Sequence, residues 1–203
     1  MTERRLFSLI SGDSSIRLFT SILVCDTLTP QYSSYGSCMD RYVLSALVQN
    51  HAGVLSRVSG LFSRRGYNID SLTVGETQET GVSRMTIVVR GDEATIEQIQ
   101  KQLEKLVEVG AVRRLEPSKS VYRELALIKV SASHGSRPDI VQIAGIFRAR
   151  IVDVSNDGLT IEVTGDQEKV DGLIELLAPY GIRELARTGI AALERGPAQL
   201  SLI

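Results

Sequence analysis

The chain has 203 residues, 43% hydrophobic and 23% charged, with a net charge of -1, which is ordinary for a soluble globular protein of one large or two small domains. Near-neutral charge excludes a global pull toward nucleic acid or anionic membrane, and with no Trp and 5% aromatics the chain offers no stacking platform for bases or sugars. The two cysteines, Cys25 and Cys38, precede the first clear strand, so the folded body is expected to lack disulfides and thiolate metal sites and to suit a reducing cytoplasm.

Residues 1–38 are rich in Ser and Thr and show no sustained period. They are expected to be an extension, disordered or not native, with Met39 available as a natural start just before the first strand. From Arg41 the pattern becomes regular. Tyr42 to Val48 reads as a strand, and Val54, Leu55, Val58, Leu61 and Phe62 mark one face of a helix. Gly66, after Arg64 and Arg65, reads as its stop, with both cations near the negative end of the helix dipole. Tyr67 to Val74 resumes as strand, and Gly75 to Gly81 is a turn. Ser83 to Arg90 follows as a strand with one strongly buried face, Met85, Ile87 and Val89. Asp92 can cap a helix whose face is Ile96, Ile99, Leu103, Leu106 and Val107. A short strand, Ala111 to Leu115, closes the unit, and Glu116 to Lys119 reads as a linker.

The same order then recurs. Leu125 to Ala132 is a strand, and His134 to Asp139 leads into a helix with Ile140, Ile143, Ala144 and Phe147. Ile151 to Val154 and Leu159 to Val163 are strands joined at Asn156-Asp157-Gly158, a hairpin signal. A helix with Val170, Leu173, Ile174 and Leu177 precedes a last strand, Ile182 to Ala186. Gly91-Asp92 and Gly165-Asp166 anchor the comparison: Ile87 and Val89 match Ile161 and Val163 upstream, and Ile96, Ile99 and Leu103 match Val170, Leu173 and Leu177 downstream. The fold class expected is α+β, two tandem ferredoxin-like βαββαβ units. The boundaries are 1–38 extension, 39–116 first domain, 117–121 linker, 122–190 second domain and 191–203 tail. The first strand is apolar on both sides, with Val43 and Leu47 opposite Leu44, Ala46 and Val48. Such two-sided burial fits a sheet that meets another subunit, and a homodimer is expected.

No G-x-G-x-x-G or Walker loop is present, and neither His51 nor His134 has a second ligand at metal spacing. The expectation is therefore no catalytic residue, no metal and no cofactor on this chain. An RNA-recognition module shares the βαββαβ order, but Ser83 to Arg90 lacks its stacking aromatics. No nucleic-acid partner is expected, and no membrane partner, since no apolar run nears the ~20 residues that span a bilayer. The stretch after the first strand, Asn50-His51-Ala52-Gly53, offers different chemistry. The first N–H groups of a helix have no internal partner and favour an anion. Gly53 lets a ligand approach the backbone, Asn50 can donate or accept, and Val54 and Leu55 can form an apolar wall. That combination fits an α-amino acid, and a plain turn fits it too.

The segments Asn50 to Gly75 and Ser83 to Leu106, with Arg123 to Val130, Ile146 to Ser155 and Arg187 to Gly196, closely resemble the small regulatory subunits of acetolactate synthase, over about residues 41–196. The first unit resembles an ACT domain. The resemblance implies an effector, valine or another branched-chain amino acid, bound between two ACT domains. It implies that Asn50, Gly53, Val54 and Leu55 hold it from one subunit and Asn68 and Ile69 from the partner. The implied partner is a large catalytic subunit carrying thiamine diphosphate, Mg²⁺ and FAD, subject to feedback inhibition in branched-chain amino acid biosynthesis. A free-standing ACT-type sensor of another protein is the alternative.

Overall fold

The structure, a computed structural model, describes residues 40–202, so the expectation for residues 1–38 lies outside it. The first unit comprises β1 (Asp40–Gln49), α1 (Val54–Arg65), β2 (Ile69–Glu76), β3 (Val82–Gly91), α2 (Glu93–Leu103) and β4 (Val109–Leu115). The second comprises β5 (Ser120–Ser131), α3 (Arg137–Ile146), β6 (Arg150–Val154), β7 (Gly158–Gly165), α4 (Gln167–Leu177) and β8 (Ile182–Arg187), and β9 (Ala191–Glu194) follows. The sheets run β2-β3-β1-β4 and β6-β7-β5-β8, with antiparallel neighbours throughout. These are the two ferredoxin-like units that the repeat predicts.

Local chemistry sets the element ends. The Asp92 carboxylate accepts from the Thr95 N–H at 2.8 Å and starts α2, and Asp166 does the same for α4 through the Lys169 N–H at 3.0 Å. Gly66, at φ 70°, closes α1 by donating its N–H to the carbonyls of Phe62 and Ser63, the left-handed C-terminal cap that glycine favours. The period-2 residues of each sheet then meet the period-3.6 residues of its helices. Leu44, Ile87 and Val89 pack against Val58, Phe62, Ile96 and Ile99 in the first core. Ile128, Ile161 and Val163 pack against Ile140, Val170 and Leu173 in the second.

Leu55, Val107 and β3 differ from the sequence reading. Leu55, expected on the buried face of α1, is 48% exposed, and Val107 is 86% exposed. Val107 lies beyond Leu103, where α2 stops, so helical spacing no longer governs its direction. β3 is buried on both faces, Val88 and Thr86 included, and the chain's own C-terminal segment covers Val88 on the back of the first sheet. Ile190 and Ala192 form a third apolar cluster there with Val43, Val88 and Leu115. The two-sided burial of Val43 is thus met within the chain and needs no second subunit. The stretch read as a linker contains a single 3-10 turn, Pro117–Lys119. Within the stretch read as a tail, β9 pairs with Ser120–Arg123 of β5.

Candidate functional site

The loop between β1 and α1 is fixed from three sides. The Gln49 N–H donates to the Glu108 carbonyl at 2.9 Å, and the Asn50 N–H donates to the Gly81 carbonyl at 2.8 Å. The Asn50 side chain donates through Nδ2 to Glu76 Oε1 at 2.8 Å. This bond turns Asn50 Oδ1 into the free acceptor of that amide. Gly53 then sits at φ 90° and no side chain caps α1, in contrast to the aspartates of α2 and α4. The Val54 N–H makes only a long 3.5 Å bond to the His51 carbonyl, and the N–H groups of Leu55 and Ser56 are left open to an external anion, aided by the positive end of the dipole. A Cβ on Gly53 would meet nothing within 4 Å, so glycine is required there by backbone conformation and not by crowding.

The two apolar residues of this loop part company. Val54 belongs to the first core, whereas Leu55 faces outward. His51 is engaged locally: Nδ1 lies 2.9 Å from the Ala52 carbonyl and Nε2 lies 3.1 Å from Gln49 Oε1. One turn into α1, Arg57 is ion-paired with the nearly buried Glu108, which braces the helix against the segment leading to β4.

Asn68 and Ile69 lie elsewhere. β1 and β2 both run antiparallel to β3, so they are parallel to each other. Asn50 follows the end of β1, while Ile69 begins β2 opposite Val89 and Glu76 ends it opposite Ser83. At ~3.3 Å per residue, the two halves of the expected site lie at opposite ends of the sheet, and one chain does not bring them together. Asn68 Nδ2 donates to Asp70 Oδ1 at 2.9 Å, and Asp70 is in turn paired with Arg90 at 2.6 Å. β2 is an edge strand of its sheet, with one row of backbone groups unpaired among the described residues. Glu76 carries no local signature in the sequence, since its partner Asn50 is 26 residues away and an acidic residue at a strand end has no motif around it.

A cleft of about 910 Å³ lies apart from this loop, lined by residues such as Tyr42, Arg114, Tyr122 and Asp171. Beside it, the buried Glu124 carboxylate pairs with Arg187, which also binds Asp171 at 2.6 Å. Both pairs hold the guanidinium in its charged form, raising it above its usual value chiefly through the Glu124 hydrogen bond. Among the described residues no three His, Cys, Asp or Glu side chains gather as metal ligands, and no helix is long and apolar enough to cross a membrane.

Known proteins resemble this chain over both units. Residues 44–111 match the model of the AHAS small subunit-like ACT domain, and residues 123–196 match that of the small subunit of acetolactate synthase. The probable acetolactate synthase small subunit of Methanothermobacter thermautotrophicus is 56% identical over 158 residues, 77% of this chain and 94% of that one. The small subunit of Mycolicibacterium smegmatis is 52% identical over 156 residues, 77% of this chain and 92% of that one. The crystal structure of the Thermotoga maritima small subunit superposes with a TM-score of 0.75 at 46% identity, covering 79% of this chain and all of that one. With two family models matched in tandem and relatives this similar along nearly their whole length, the chain belongs to the family of acetolactate synthase small subunits.

Proposed function

We propose that this chain is the non-catalytic regulatory subunit of acetolactate synthase, stimulating a separate large subunit and making it sensitive to valine. Thiamine diphosphate, Mg²⁺ and FAD belong to that large subunit in this reading. The observation that carries it is the uncapped N-terminus of α1 behind the left-handed Gly53, beside an Asn50 whose amide is oriented by Glu76. The first-turn N–H groups take the effector's carboxylate, and Asn50 Oδ1 accepts from its ammonium group. Leu55, exposed in one chain, gives the apolar wall.

The other half of the site comes from a second copy. Two β2 edges related by a two-fold axis pair antiparallel, which sets the start of one against the end of the other. Asn68 and Ile69 of one subunit then face Asn50 and Gly53 of its partner, and the effector bridges a homodimer. Regulation follows from linkage: the effector shifts the assembly by its differential affinity for two states.

The test pairs calorimetry with an assay. Valine titrated into the protein should give saturable heat at about one or two sites per dimer. The same valine should inhibit the assembled holoenzyme, and the chain alone should make no acetolactate. Absence of both heat and inhibition overturns the effector assignment, and acetolactate made without a large subunit overturns the regulatory one.

A further inference from the structure

We propose that the segment from Thr188 to Glu194 is a strap that locks β2 to the second unit, and that Gly189 is the positioning residue through which it holds that strand. The contact rests on the geometry of the strap, and its regulatory meaning rests on the effector reading above.

The root of the strap is rigid. The Thr188 N–H donates to the Leu125 carbonyl at 2.9 Å, and Thr188 Oγ1 accepts from the Leu125 N–H at 3.0 Å. The preceding residue, Arg187, is held by the buried Glu124. Beyond the root, Ile190 and Ala192 enter the third apolar cluster on the back of the first sheet. Glu194 ion-pairs with Arg113 of β4, and β9 simultaneously hydrogen-bonds to the first residues of β5. The strap is therefore anchored in the second unit and pressed onto the first.

Gly189 is the point where it meets β2. A Cβ at this position would fall far inside contact distance of Thr73 Oγ1, 2.5 Å from Ser71 Oγ and 3.1 Å from the Leu72 carbonyl oxygen. Its φ lies outside the left-handed region, so the bare backbone is demanded by proximity and not by torsion. Thr73 Oγ1 is itself buried with no hydrogen-bond partner among the described residues. β2 ends in Glu76, which orients Asn50, and Asn68 and Ile69 stand at its start. A shift of β2 when the effector bridges two copies must therefore push on the strap and, through Thr188 and Arg187, on the second unit.

The experiment compares the full-length parent, Gly189→Ala, and Gly189→Ala combined with Ser71→Ala and Thr73→Ala, which deletes the two nearest oxygens. Each is assembled with the large subunit and assayed against valine, and each is also examined alone by amide hydrogen exchange. Gly189→Ala should still stimulate the large subunit. Its half-inhibiting valine concentration should rise at least about tenfold, inside the roughly 5–150-fold span of allosteric couplings. Exchange across residues 71–76 should quicken by about tenfold as β2 loosens locally. The triple variant should return both readouts to within about threefold of the parent, as expected for residues in direct contact. Unchanged exchange in Gly189→Ala, or a defect that the triple variant does not relieve, overturns the strap. A parent that ignores valine overturns the effector reading instead, and the exchange data still decide the contact.

Discussion

At the scale of single residues, Gly53 separates charge from strain. Its φ of 90° costs an L-residue about 1–2 kcal/mol, yet a Cβ there meets open space. Gly53→Ala should therefore lower the melting temperature, and it should weaken valine binding less than a charged side chain at the same position. Gly53→Asp adds a carboxylate within reach of the first-turn N–H groups, the position from which an N-cap side chain acts. It competes with the ligand's carboxylate and repels it. Calorimetry should show valine affinity reduced by more than about tenfold, beyond the ~1.4 kcal/mol that corresponds to that factor. Asn68→Ala should weaken binding from the partner's side. Parent-like affinity in both Gly53→Asp and Asn68→Ala would place the effector elsewhere.

At the scale of elements, the equivalent helices α2 and α4 of the two units owe their starts to the same device, and at Asp92 a pH dependence can be read. The hydrogen bonds from Thr95 hold the Asp92 carboxyl below the usual carboxylate range. A depressed folded-state value means the cap contributes fully above the unfolded value of about 3.9. That contribution is lost as pH falls through the lower folded value. Asp92→Ala should melt below the parent at neutral pH, and the gap should narrow below about pH 4. Asp92→Asn should keep the cap without that pH dependence. Circular dichroism melts across the range measure both, and an Asp92→Ala gap that persists undiminished in acid would deny the carboxylate this role. The same Gly-Asp device made the repeat legible in the sequence, because strand period, cap and helix period agree in both copies. The Asn50–Gly53 loop was legible for a related reason: its chemistry is local. What was not legible is long-range or short. Glu76 reaches Asn50 across 26 positions, β9 has only four residues, too few for alternation to declare itself, and Val107 follows a helix whose end has no glycine stop.

At the scale of the whole molecule, the third cluster decides whether the two units melt as one. Ile190 contributes from the C-terminal segment and Val88 from the back of β3, and both are buried, at 6% and 0% exposure. Each unit has its own core, so without this cluster each could open independently. With it, opening the first unit exposes apolar surface belonging to the second. Calorimetric unfolding of the parent should therefore give one transition. Ile190→Ala should cost about 2–5 kcal/mol, the range for truncating a buried isoleucine, and should split or broaden that transition as the units part. Val88→Ala should act on the same contact, so the double variant should lose less than the sum of the two singles by at least about 0.5 kcal/mol. Strict additivity, or a single sharp transition that survives Ile190→Ala, would mean that the cluster covers the sheet without joining the units. The strap would then be a lid on the first sheet and could not carry the effector's signal to the second unit.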